Sequence, residues 1–387
     1  MLRRSLTLGS FLAATLVVVA CQDVATSSAP LAPTAPARAL TTDLPASRPA
    51  LTLPASTPAV DRLFSEFGTR AINPGDYVCS DESPIIDFVN NELSLTLSTT
   101  AERNRFFALY NRYADLLPTY EALFFQTTDT PQTFGYQGEF TQVMRKTERD
   151  VKNFWDIPSA QIQVVAMHGT MLRDTARTYA TYTQVFGFSP ASSRAAARVL
   201  RDSLAASTTM HGGNYSFWTF NSVSFRDRED GIPDKIVMGD GILEGYAAIG
   251  YADVAPQAIF AHEFAHQIQY ENEYFDDLGN VTAPEQTRYT ELMADAMSAY
   301  FLTHARGEAL NRKRVEEFLN VFYQIGDCAF TNPGHHGTPN QRMKAAQFGF
   351  KVADDFQKQG HILTSAEFHD LFLANYPTLI APDVTTP

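Results

Sequence analysis

Ala261-His262-Glu263-Phe264-Ala265-His266-Gln267 is the stretch whose reading governs the rest of this chain. Residues four apart on a helix sit one turn apart on the same face. His262 and His266 can therefore present both imidazoles to one ion, at nitrogen–metal distances of about 2.0–2.1 Å. Glu263 lies beside the first of them, where its carboxylate reaches a metal-bound water without taking a coordination position. Phe260, Phe264 and Ile268 form the opposite stripe and bury the helix in the core. The helix is expected to start near Pro256, whose missing N–H is harmless in a first turn, with Asp253 as its cap.

A second strongly helical run opens at Tyr289-Thr290-Glu291-Leu292-Met293-Ala294-Asp295-Ala296 and extends to about Ala305. Glu291 and Asp295 are again four apart and share a face. One carboxylate can complete a three-residue site with both histidines, leaving a position open for water. The other can accept the second ring N–H of a ligating histidine and fix its tautomer. Leu292, Ala294, Ala296 and Ala299 surround the pair with apolar neighbours, which suits a buried role better than a solvated face.

With these two motifs the chain resembles the gluzincin metallopeptidases, whose pattern is His-Glu-x-x-His followed by Glu-x-x-x-Asp. The resemblance implies a zincin-like catalytic domain with zinc as cofactor and a peptide or protein as substrate. It assigns His262, His266 and Glu291 as zinc ligands, Glu263 as general base, and Asp295 as the partner of His262 behind the metal. No glycine and third histidine stand at metzincin spacing. His335-His336-Gly337-Thr338-Pro339-Asn340-Gln341-Arg342 resembles the His-Gly-x-x-x-Gln-Arg signature of neutral zinc metallopeptidases. That likeness implies His336 or His335 near the oxyanion, His336 preferred because only it matches the signature, with Arg342 bracing the loop; Tyr289 is a further oxyanion donor to test. Lys235–Leu243 takes the place of the zincin edge strand, to which a peptide can add as a further strand. Gly239 and Gly241 either permit close backbone approach or mark a bulge. The rival expectation is a non-catalytic zincin-like surface lipoprotein that binds a partner and holds zinc for structure. Glu263 argues against it, because a structural site needs no base.

Around these motifs the pattern implies an α+β fold. Residues 141–155 suit a helix, 161–167 alternate like a strand, and helical stretches follow at about 171–186 and 191–206. Strand-like runs appear at Tyr215–Phe225 and Lys235–Leu243, separated by an acidic turn, Asp227–Asp234. Arg226 and Arg228 fall on ligand positions of a calcium loop, so this turn is read as solvated. The division expected is a helical subdomain over 60–140 and the zincin-like domain over 141–387. In the former, Phe106, Phe107, Tyr110, Tyr113, Leu116 and Leu117 recur at helical spacing as a core stripe.

The amino terminus reads as an address. Arg3 and Arg4 precede an apolar run that ends in Ala20-Cys21. This resembles a bacterial lipoprotein signal over residues 1–20, which implies lipidation of Cys21 by palmitate-type acyl chains and export to a membrane surface. Gln22, where an aspartate would retain the protein at the inner membrane, points to the outer membrane if the source has two. Residues 22–59 are rich in Pro, Ala, Ser and Thr and read as an extended tether. Cys79 and Cys328 then remain, either as one disulfide closing a long loop in an oxidising compartment or as two buried thiols. The 387 residues carry 28 Phe and 16 Tyr, ample for a packed core, and a net charge of −13 with no basic run. Nucleic acid is excluded as a partner on that ground, and the membrane is met only through the lipid.

Overall fold

The computed structural model describes residues 79, 83–226, 232–279, 281–328, 330, 332–357 and 361–383. The signal segment with Cys21, the tether, residues 60–78 and most of the acidic turn (227–231) lie outside the described residues. Helices α1 (Pro84–Leu97), α2 (Thr100–Tyr110) and α3 (Leu117–Phe125) come first, then α4 (Thr141–Phe154) and strand β1 (Gln163–Met167). Short turns of helix, with α5 at Thr175–Ala180, lead to α6 (Pro190–Ala206), β2 (Ser222–Phe225) and β3 (Lys235–Gly239). The remainder is helical: α7 (Asp240–Ala248), α8 (Ala255–Asn272), α9 (Ala283–Thr303), α10 (Arg312–Gln324), α11 (Pro339–Gln357) and α12 (Ser365–Leu379). The class is α+β, with helix dominating a small mixed sheet. None of the described helices is long and apolar enough to cross a membrane.

The sheet corrects two expectations. Its order is β1-β3-β2, with β1 parallel and β2 antiparallel to β3. The strand expected at the edge is therefore the central one, hydrogen-bonded on both sides, and no peptide can add to it. It is also shorter than expected, since Asp240 already begins α7. The glycines explain the break: a Cβ on Gly239 would lie 2.1 Å from the Thr219 carbonyl oxygen, and one on Gly241 2.2 Å from that of Ser216. Both serve close approach to the chain's own crossing segment, not to a substrate. The run expected as a strand from Tyr215 likewise pairs only over Ser222–Phe225; residues 216–218 form a tight helical turn.

The sheet is pinned to its neighbours by buried polar groups. Lys235 donates from Nζ to the carbonyls of Leu123 and Gln126, at 2.5 and 2.6 Å, and closes the C-terminal end of α3. From α8, Gln267 Nε2 donates to Ser224 Oγ at 2.6 Å and to the Phe225 and Lys235 carbonyls at 3.2 Å. This fixes the rotation of α8 about its axis. Asp253 does not cap α8: Val254 is the N-cap residue without a side-chain bond, and Asp253 faces outward, 3.6 Å from Arg314. The helix is held from its sides by packing, and a capping bond there is dispensable.

Helices α8, α9 and α11 share the main core, with Phe260, Phe264 and Ile268 wholly buried as the apolar stripe requires. Small residues let α9 and α11 approach closely: a Cβ on Gly349 would come within 2.0 Å of the Ala296 carbonyl oxygen. Of the stripe expected over 106–117, Phe106, Tyr110, Tyr113 and Leu117 are buried core while Phe107 and Leu116 are half-buried against it, and the helix itself ends at Tyr110. Phe106 stacks on Trp218 with centroids 5.1 Å apart. That second cluster joins Leu93–Tyr120 to Met171–Trp218, drawing on both sides of residue 140. Cys79 and Cys328 form a disulfide, their Cα atoms 5.8 Å apart.

Glu102 ties α2 to the chain after α6. It accepts from Ser207 Oγ at 2.6 Å, Thr208 N at 3.2 Å and Thr209 Oγ1 at 3.1 Å, and pairs with Arg105 at 2.6 Å. Burial pushes its carboxyl up, but these donors outweigh burial and hold it below 4.5. A depressed folded-state pKa contributes stability above the unfolded value, lost as pH falls through the folded one. Glu102→Gln is expected to lower unfolding stability by about 1–3 kcal/mol at pH 7. In urea titrations the gap to wild type should narrow as pH falls below 4.5.

Candidate metal centre

Two helices bring the site together. On α8 the i, i+4 spacing stacks His262 and His266 on the face turned toward α9, and Ser298 Oγ of α9 binds the Ala258 carbonyl at 3.1 Å. Glu291 of α9 arrives opposite them. The two Nε2 atoms are 3.1 Å apart, His262 Nε2 is 3.3 Å from Glu291 Oε2, and His266 Nε2 is 3.5 Å from Glu291 Oε1. A tetrahedral ion with bonds of about 2.0–2.1 Å has ligand–ligand edges of about 3.3–3.4 Å. The three side chains thus form a group that can hold a metal ion.

The surrounding hydrogen bonds orient these donors toward a common point. His262 Nδ1 lies 2.9 Å from Asp295 Oδ1, and His266 Nδ1 lies 3.0 Å from Gln269 Oε1. Gln269 Nε2 donates to the Thr290 carbonyl at 2.7 Å, which fixes the amide with its oxygen toward the ring. Both acceptors select the Nδ1–H tautomer, so both Nε2 lone pairs face each other and a carboxylate. Such an arrangement repels itself unless a metal ion or a proton sits between the donors. Burial deepens this, since His262, Glu263, His266 and Glu291 are each 1% exposed.

Behind the donors stands a second layer of charge. Arg342 donates from Nε to Asp295 Oδ2 and from Nη2 to Asp295 Oδ1, both at 2.7 Å, and Nη2 is 3.4 Å from Glu291 Oε2. Arg342 was expected to brace its own loop; it braces the acids of α9 instead, because α11 lies directly against that helix. Asp295 lies against His262 as its assignment implied, and Arg342, which was not expected there, stands behind it.

His336 and His335 share one acid. Asp327 Oδ2 is 2.8 Å from the His336 amide and 3.1 Å from its Nδ1, while Oδ1 is 2.6 Å from His335 Nδ1. Burial would lower the His336 pKa, but the charges of Glu291 and Asp327 outweigh it and raise it. Burial pushes the Glu291 carboxyl up, yet His336, His262 and His266 hold it well below the carboxylate range. His336 is thus coupled by charge to Glu291. Tyr289 is turned elsewhere. Its hydroxyl binds Asp277 Oδ2 and His369 Nε2, each at 3.1 Å. Two residues before Glu291 is about 200° around a helix, which turns Tyr289 to the opposite side.

Gln269 and Asp327 escape the sequence reading. Gln269 had a local signal, three residues after His266 on the same helix; Asp327 had none, since only the fold of the loop brings it to two histidines. No family model, curated protein or solved structure matches the chain.

Asp295→Asn and Gln269→Leu are each expected to weaken metal binding about 10–100-fold. Competition against a chromophoric chelator measures this, with His262→Ala as the variant that retains no stoichiometric metal.

Proposed function

We propose that this chain is a zinc-dependent peptidase of the gluzincin type, exported and anchored through a lipid on Cys21. The observation that carries the reading is the convergence of His262 Nε2, His266 Nε2 and Glu291 at 3.1–3.5 Å with an intact Glu263 on the same helix. Two imidazoles and one carboxylate suit zinc, and such a three-ligand set is the kind that leaves room for water. Bound zinc supplies Lewis acidity and brings the pKa of a coordinated water to about 7. Glu263 accepts the proton of the attacking water and hands it to the leaving amine. His336, oriented through its Nδ1 by Asp327 Oδ2 at 3.1 Å, donates toward the oxygen of the scissile carbonyl as charge develops there. Asp295 and Gln269 hold the two ligand imidazoles in the tautomer the metal needs. The disulfide between Cys79 and Cys328 is consistent with an exported protein.

One observation favours a second reading. The donors and Glu263 are each 1% exposed, as suits a metal held for structure in a non-catalytic surface lipoprotein. Chelator-sensitive cleavage of a mixed peptide pool by the metal-loaded chain separates the two.

Glu263→Gln is expected to keep full zinc content while peptide turnover falls about 10²–10⁴-fold. Zinc content and turnover measured on the same preparation decide it: undiminished turnover removes Glu263 from the mechanism.

A further inference from the structure

Arg288 lies on α9 one turn before Glu291 and two turns before Asp295, so the three share one stripe of the helix. It is 2% exposed, and its Nε and Nη1 are buried without a hydrogen-bond partner. No carboxylate pairs with it among the described residues. The acids of the same helix are engaged elsewhere: Glu285 in the capping box with Thr282, Asp295 with Arg342 and His262, and Glu291 facing the two ligand imidazoles.

The neighbouring loop adds a second unsatisfied donor. Gly337 adopts φ +101°, and a Cβ built there would meet Arg288 Cγ at 3.5 Å and Gln341 Oε1 at 3.4 Å. Gln341 is wholly buried; its Oε1 accepts from Thr338 N at 3.1 Å, which leaves Nε2 as the unpartnered end. A buried guanidinium without a counter-charge and a buried amide without an acceptor both raise the free energy of the empty protein. The two side chains flank Gly337, and a carboxylate, with two acceptor oxygens, matches the guanidinium fork and offers an acceptor to the neighbouring amide.

We infer that Arg288 and Gln341 form a carboxylate-recognition site beside the candidate metal centre, which selects peptide substrates by a carboxylate close to the scissile bond. Naming the carboxylate as the substrate's rests on the peptidase reading; the anion site does not. A free C-terminus and an Asp or Glu side chain offer the same chemistry. The first would make the enzyme a carboxypeptidase, and the second an endopeptidase selective for acidic residues.

The test uses the full metal-loaded chain with Glu263→Gln, so that ligands persist. Three N-acetylated peptides are compared by calorimetric titration and thermal unfolding: a free acid, its C-terminal amide, and an amide carrying an internal Glu. The expected result is at least about tenfold tighter binding of one carboxylate-bearing peptide than of the plain amide, with a matching rise in unfolding midpoint. Whichever carboxylate peptide wins names the source. In R288M this preference should vanish, and the unliganded variant should unfold at a higher temperature than its parent, because an unpaired buried charge is gone. Equal affinity for all three peptides overturns the proposal without any variant being needed. An R288M variant that unfolds earlier, or that keeps the preference, overturns it as well. Carboxylate preference without cleavage of any peptide by the wild type retains this site and removes the peptidase; cleavage indifferent to carboxylates does the reverse.

Discussion

Two imidazole nitrogens 3.1 Å apart, with their lone pairs turned toward each other and toward a carboxylate, repel unless positive charge sits among them. The protein spends much of its buried polarity on holding that arrangement. Asp295 and Gln269 fix the tautomers from behind, Arg342 neutralises Asp295 with two bonds at 2.7 Å, and Gln267 locks α8 to the sheet. Each of these contacts would be wasted on a pair of ordinary core histidines, which need only one satisfied nitrogen and no converging acid. A group able to hold a metal ion is what makes the set coherent.

The architecture around the donors follows from helix contact. α8 supplies two ligands and α9 the third, and α11 closes over α9 through the small residues at Ala296 and Gly349. That contact brings Arg342 within reach of two acids on α9. The loop before α11 is tied at both ends. Asp327 holds His335 and His336, and the adjacent Cys328 is bonded to Cys79, while Ser83 and Ile85 grip Gln324 at 3.4 and 3.1 Å. His336 is thereby positioned by a network that spans nearly the whole described chain.

The same organisation shows which parts of the sequence were legible. The histidine spacing, the apolar stripe of α8 and the aromatic core of α2 are short-range patterns, and the structure carries all three. The strand readings were poorer. Apolar residues at 215–225 and 235–243 alternate well enough for strands, but contacts of Gly239 and Gly241 with a crossing segment end the pairing early. Strand order has no local signature at all, which is why an expected edge became the centre.

What the sequence determined by itself was whatever helix periodicity makes inevitable: that His262 and His266 share a face and that Glu291 and Asp295 share another. Tyr289, expected as an oxyanion donor, is turned away by the same periodicity, a consequence that expectation left out. The tertiary structure decided which acid meets the imidazoles and which stands behind them, and it recruited Asp327 and Arg342 from distant positions. It also left Arg288 buried with no carboxylate partner among the described residues. Those outcomes depend on how helices cross and where a loop returns, and such distances are set by packing between segments far apart in the chain, not by the order of residues along any one of them.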